Sequence, residues 1–523
     1  MSQINQHIVI LGGGTAGWLT ANIIAAEFDP AAGISVTLVE SPTTPTIGVG
    51  EGTWPSMRST LMKIGISESA FIEKCSATLK QGTRFERWQT RDDSGDVYYH
   101  PFTLPHGFQD LNLAEFWSAG LLGSESFAES VTPQVAACEA GKAPKQIQVP
   151  EYAFTLNYGY HLDAGKFAEL LRENATQRLG VKHLLADMTG VRTTASGDIE
   201  SLETSEGIVS GELFIDCSGF ASLLLGGHYG VPVNSQRDVL FNDSALALQV
   251  PYSDASDSIA TTTHATAHHA GWFWDIGLQH RRGVGAVFSS RHTDRDSVEA
   301  ALDQYLRDTG HATGLENPEP RLITFDPGYR QQFWHRNCVA IGLSAGFIEP
   351  LEASALVLVE LSARRLAEQL PTLSANMATA ANDFNREFNE RWQQIIEFLK
   401  LHYVLSERDD TAYWRGHRDP ESIPPRLQQK LGEWRYRCPW HQDERRVDEM
   451  FPAASYQYVL YGMGFRSEVQ PSVYRGASSR QQRAQELSEE VRRSSHQYLQ
   501  HLPLHRNLLD QVNSQGFATR AGS

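Results

Sequence analysis

Three glycines between a strand and a helix constrain this chain more than any other feature. Residues 7–11 form an apolar run that reads as a strand, and Gly12, Gly14 and Gly17 follow in the spacing Gly-x-Gly-x-x-Gly. Ala16, Leu19, Ile23 and Ile24 then mark one face of a helix, and a second strand over 35–39 runs into Glu40. In such a unit the first glycine lets the turn tighten, the second lets the backbone approach a pyrophosphate, and the third lets the helix pack on the strand. An acid at the end of the second strand accepts hydrogen bonds from a ribose. The pattern predicts a Rossmann-like α/β domain that binds a dinucleotide at Gly12, Gly14, Thr15, Ala16, Gly17 and Glu40.

The charge balance narrows the partners. With 45 Lys plus Arg against 62 Asp plus Glu, the net charge of −17 repels a phosphate backbone, so no nucleic acid is expected. The five cysteines show no Cys-x-x-Cys pair and no metal-ligand spacing, and their odd number argues against a closed disulfide framework. They suit a reducing cytoplasm. No basic n-region opens the chain and no run of eighteen apolar residues occurs, so neither a signal peptide nor a membrane span is expected. Eleven tryptophans suit a large core or a pocket for flat ligands.

The chain leaves the first domain and comes back. After Glu40 the segment SPTTPTIGVGEGTWPS reads as a strap, its prolines excluding helix and its glycines permitting close approach to a ligand. Residues 91–150 are irregular and aromatic, whereas 163–226 return to helix and strand and end in LFIDCSGF. From Asn337 a strand, a glycine-bearing loop and a long helix follow, with Ser354 placed as N-cap and the amides of Ser354, Ala355 and Leu356 open to an anion. Beyond 380 the text is helical, and Ala484, Leu487, Val491 and Tyr498 mark a face expected to dock on its own protein. We therefore expect a dinucleotide-binding module over 1–90 and 151–375, taken as FAD-binding by analogy with flavoprotein hydroxylases, interleaved with a largely helical substrate and lid module over 91–150 and 376–523.

Four places resemble the flavin-dependent tryptophan halogenases, and the resemblance covers most of the chain. They are GGGTAGW with the strap IGVGEGTWPS, LKQGTRFERW, WFWDIG at 272–277, and GLSAGFIEPLEASAL at 342–356. The resemblance implies the FAD-binding fold of flavin monooxygenases, with Gly50, Glu51, Met188, Asp216, Leu343 and Leu356 joining the fingerprint around the cofactor. It implies that reduced FAD, O2 and chloride or bromide generate hypohalous acid, which is guided to Lys80 and placed on an indole-like aromatic ring. Glu352 would sit near Lys80 and take the ring proton, Ser354 and Ala355 would hold the halide, and His100, Phe102, Trp272, Trp274 and Phe451 would line the substrate pocket. With one dinucleotide fingerprint, the reduced flavin is expected from a separate NAD(P)H flavin reductase. The assembly is open, a homodimer among the options.

Three departures bear on specificity. The family's Trp-x-Trp-x-Ile-Pro ends here in Gly277, and its Glu-Ser-Thr-Gly becomes Glu352-Ala353-Ser354-Ala355. Counting back from Gly462, Met463 and Gly464, the lid positions that carry a Tyr-Tyr pair, a glutamate and a tryptophan in tryptophan-specific members hold Pro439, Trp440, Arg446 and Phe451. An arginine there repels an ammonium, which disfavours free tryptophan unless Asp448 or Glu449 replaces the carboxylate. Without the family, Lys80 reads as a surface lysine, and His264, His268 and His269 read as structural. An aromatic hydroxylase on the same scaffold and a non-catalytic flavin-binding protein are the alternatives; the tryptophan pair favours halogenation.

Overall fold

The strand Gln6–Leu11 owes its place to a run of apolar residues that buries on both faces, with Ile8, Val9 and Ile10 wholly shielded. It lies inside a six-stranded sheet in the order Trp334–His335, Cys338–Ala340, Leu213–Asp216, Gln6–Leu11, Ile34–Glu40, Lys182–Leu185. All neighbours are parallel except the edge strand Trp334–His335. The helix Thr15–Glu27 packs against the helices Ala164–Gln177 and Ser354–Gln369. It is enclosed on nearly all sides, with Thr15 and the run from Gly17 to Ile24 buried, where the sequence suggested one apolar face. Burial on the polar side is possible because Asn22 Nδ2 donates to the carbonyls of Trp18 and Leu171, both at 2.8 Å, and its Oδ1 accepts from Asn174 Nδ2.

This computed structural model describes residues 6–44, 50–90, 95–310, 320–444 and 449–518. The chain falls into two compact units, each gathered from three segments. The first comprises Met1–Ala77, Leu162–Gln236 and Asp326–Trp392, and the second Thr78–His161, Arg237–Phe325 and Gln393–Ser523.

The second unit contains the helices of the C-terminal third, and also a seven-stranded sheet that the sequence reading divided between modules. Its order is Arg321–Thr324, Ser244–Pro251, Arg281–Phe288, Gly271–Gly277, Thr263–His268, Gly82–Glu86, Val97–Pro101. Only the pair Thr263–His268 with Gly82–Glu86 is parallel. Because this sheet pairs residues of 82–101 with residues of 263–277, segments 78–90 and 237–325 belong to the second unit rather than following the limits read from the sequence. One face carries Phe273 into a cluster with Leu246, Val284 and Leu302. The late helix Ala477–His501 buries Ala484, Leu487 and Val491, and Tyr498 packs on Ala137, Leu156 and Leu502 of the same unit. All five cysteines are free, and among the described residues no helix is long and apolar enough to cross a membrane.

Candidate functional site

Three loops converge at the carboxyl ends of the parallel strands in the first unit, where open α/β sheets hold their ligands. Gly12 N donates to Val39 O at 2.8 Å, Cys217 N to Leu11 O at 2.8 Å, and Ile341 N to Asp216 O at 3.0 Å. Each loop therefore leaves its strand hydrogen-bonded to the neighbouring one. The three fingerprint glycines have separable reasons. Gly12, at φ +119°, presses on the Cys217 carbonyl, and Gly17 presses on the Gly12 carbonyl, so any Cβ at either would collide with backbone. Among the described residues, Gly14 meets no atom within 4 Å of where a Cβ would lie, a space that could admit a ligand.

Helix Thr15–Glu27 carries no side-chain cap and no acid in its first turn, so its amides stay open to a phosphate. Glu40 lies over Gly13, and its carboxylate is 2.8 Å from His183 Nε2, a partner that no sequence spacing signalled. This cradle of glycine amides with an acid at the next strand end fits the pyrophosphate and ribose of FAD. Asp216, expected beside the cofactor, also shapes its own turn. Its buried carboxylate accepts from Ser218 N, Ser218 Oγ, Ser222 Oγ, Leu224 N and Leu225 N at 2.5–3.3 Å. Its acceptor capacity is taken up in shaping the 217–225 turn. Gly342, at φ +78°, approaches Ala16 and brings the half-buried Leu343 to the start of the first helix. Gly50 is buried, Met188 half-buried, and the Glu51 carboxyl is pushed up to about 7 by desolvation.

Glu352 belongs to the same unit and is 4% exposed. Trp54, near the end of the strap, donates its Nε1–H to the Glu352 carbonyl at 2.7 Å and so fixes that turn. The next residue corrects the expected cap. Ala353, not Ser354, is the N-cap; it is left-handed at φ +51° and offers no side-chain hydrogen bond, while Ser354 is the first helical residue and is buried. The helix therefore begins with its amides uncapped, Ala355 exposed and Leu356 buried.

The second unit holds the lysine. Lys80 ends the strand Thr78–Lys80 and is 2% exposed, with Nζ 5.5 Å from the centroid of Phe102. Lysines are almost never buried without a purpose, so the reading as a surface residue is overturned. Its strand is held from three sides. Thr78 Oγ1 donates to Gly277 O at 2.6 Å, Leu79 N donates to His505 Nε2 at 3.0 Å, and Gln81 N donates to Thr261 O at 2.7 Å. Gly277 thus ties the lysine strand to the tryptophan strand, and a Cβ there would come within 3.2 Å of Ile259, Ala260 and Tyr252. Trp272 and Trp274 are both buried, their rings 6.5 Å apart, and Trp272 lies 6.5 Å from Trp88.

His100 Nε2 lies 2.9 Å from Ser455 Oγ, and its ring packs on Phe398 and Tyr458. Phe451 stacks on Phe398 with centroids 3.7 Å apart. Ser455 and Phe398 carried no signal in the sequence because they sit on helices whose spacing reads only as core. In the lid, Pro439 O accepts from Gln457 Nε2 at 2.6 Å, and Trp440 Nε1 donates to Phe108 O at 2.9 Å. Arg446 and Asp448 lie outside the described residues; Glu449 is half-buried.

Several histidines of this unit are kept neutral. Burial pushes His268 down to about 3 and His505 to about 4, and the His161 ring lies well below its ordinary value for the same reason. His268 Nε2 lies 3.1 Å from Val287 O, in keeping with a structural role. As pH falls below about 6.5 the unfolded chain takes up protons that the fold refuses, so stability present at neutral pH is lost toward pH 4. Urea midpoints at pH 7.5 and 5 should show the decline, at up to about 1.4 kcal/mol per histidine and pH unit. An unchanged midpoint would mean these rings are protonated in the fold.

The family profile described as tryptophan halogenase matches residues 7–478. Tryptophan 6-halogenase SttH of Streptomyces toxytricini is 32% identical over 481 residues, covering 88% of this chain and 89% of that one. A tryptophan halogenase structure from Shewanella frigidimarina is 49% identical, covers 99% of each chain and superposes with a TM-score of 0.93. Xcc4156, a flavin-dependent halogenase from Xanthomonas campestris, is 32% identical with a TM-score of 0.85, covering 99% of this chain and 100% of that one.

Proposed function

The chain belongs to the tryptophan halogenase family and is a flavin-dependent halogenase, and from that premise we propose that it halogenates an indole-type ring lacking an amino-acid moiety. The buried Lys80 carries the reading. An ammonium inside a sheet, beside the Phe102 ring, is suited to hydrogen-bond and polarise hypohalous acid rather than to solvate a surface. Bound as FADH2, the cofactor would supply two electrons to O2, and the activated oxygen would oxidise chloride or bromide to hypohalous acid with release of water. The glycine cradle and Glu40 hold the dinucleotide, and the uncapped amides of Ser354 and Ala355 take the halide. Lys80 presents the electrophile, and Glu352 takes the ring proton. His100 and Phe102 orient the ring, while Trp272 and Trp274 keep the organic substrate away from the flavin. One fingerprint leaves the reduction of flavin to a separate reductase.

The preference for a ring without an amino acid follows from what grips it. Pro439 and Trp440 are occupied in lid contacts, Phe451 in stacking on Phe398, and Arg446 stands where an acid would be needed. Indole and tryptophan are to be compared with FAD, a flavin reductase, and chloride or bromide. A halide-dependent mass shift is expected, with kcat/KM for indole at least equal to that for tryptophan. A clear preference for tryptophan would sink the substrate reading; oxygen insertion in place of halogen would sink the reaction.

A further inference from the structure

One buried group beside Lys80 has no task in the proposed chemistry. His161 lies in the strand Gly159–Asp163, antiparallel to Thr78–Lys80, with Thr78 opposite His161 and Lys80 opposite Gly159. Residues 78 and 80 project from the same side of their strand, so His161 and Lys80 are diagonal neighbours on one face, roughly 7–8 Å between Cα atoms and within reach of a long side chain. Gly159 places no side chain opposite the lysine.

The ring of His161 is fully buried. Its Nε2 is 2.8 Å from Thr263 Oγ1, but its Nδ1 finds no hydrogen-bond partner among the described residues. Leaving such a nitrogen unpaired is a cost that folds seldom carry without reason. The groups facing this ring are Lys80, His505 and His264, all cationic if charged, and with burial they keep the imidazole neutral. His505 is itself committed, accepting from Leu79 N at Nε2 and lying 3.3 Å from Ile259 O at Nδ1. With its Nε2–H directed at Thr263, His161 carries its lone pair on Nδ1.

Resting on the halogenase reading, we propose that His161 is a positioning residue for Lys80, accepting a hydrogen bond at Nδ1 from the lysine ammonium, directly or through one water. A neutral acceptor aims the ammonium without cancelling its charge. A lysine ammonium carries three N–H groups, so one hydrogen bond of this kind does not exhaust it.

Three variants test this, because asparagine places its oxygen near Nδ1 whereas glutamine reaches toward Nε2. His161→Phe, His161→Gln and His161→Asn are compared as FAD-loaded enzymes with a flavin reductase, bromide and indole. Hypobromous acid is trapped in parallel on a freely diffusing 1,3-diketone. We expect kcat on indole to fall about tenfold or more in the Phe and Gln variants, with unchanged KM, FAD content and trapped halogen, because a misplaced ammonium loses orientation rather than binding. The Asn variant should stay within about threefold of wild type. If His161 only braces the fold through Thr263, glutamine will restore activity and asparagine will not, which overturns the proposal. Wild-type kcat in the Phe variant overturns it too. If the wild type brominates neither indole nor the diketone, the halogenase reading falls and the proposal with it, distinguishable because variants and wild type then fail together.

Discussion

Lys80→Ala should retain FAD and lose halogenation of the aromatic substrate by about 10^2–10^4-fold, the range removed when a positioned proton-donating group is deleted. The side chain is buried beside Phe102 in the second unit, whereas the fingerprint glycines and Glu40 belong to the first, so flavin content should not change. Hypohalous acid is still made in such a variant, and a diffusible trap should capture it. Lys80→Met, which keeps most of the volume without the charge, should match the alanine variant and so exclude a packing explanation. Halogenation retained by either variant would remove Lys80 from the mechanism.

Gly14→Val should abolish flavin binding while leaving the apoprotein folded. The missing Cβ points into space with no atom of the described residues within 4 Å, so among these valine meets only what the ligand would occupy. Copurified FAD is expected to fall at least about tenfold, the loss corresponding to roughly 1.4 kcal/mol of binding. The melting temperature should match that of wild type stripped of flavin. Gly12→Val is the contrasting control: at φ +119° and against the Cys217 carbonyl it should fail to fold. Normal flavin content in the Gly14 variant would overturn the cradle.

How much of this was legible beforehand depended on the range of the signal. The strand, glycine turn, helix and acid of the first forty residues are local, and the structure reproduces them within a residue or two. The fourth motif likewise emerged as strand, turn and helix, but with its cap moved from Ser354 to Ala353, because a left-handed residue is not announced by an alanine. The seven-stranded sheet was divided between two expected modules because its partners are distant: Gly82 pairs with Pro101, while Thr83 pairs with Thr263. Residue type alone also misled. Lys80 is buried, and the Asp216 carboxylate has five donors within its own turn that no spacing announces. Trp54, His183, Phe398 and His161 owe their interest to neighbours far away in sequence, which no spacing rule reveals.

The three-segment build of the first unit sets a schedule for synthesis. The strand Leu213–Asp216 pairs on one side with Gln6–Leu11 as soon as it emerges, but its other edge waits for Cys338–Ala340, roughly 120 residues later. At ribosomal rates of about 5–20 residues per second, a half-finished sheet with an open edge persists for several seconds, while the chain producing the second unit is still being made. Slower elongation lengthens that exposure, and the nascent chain will call on chaperones most between these two strands. Truncation after Gln236 or after Phe325 would leave the open edge permanent, so the soluble yield of C-terminal deletions should collapse once Cys338–Ala340 is lost.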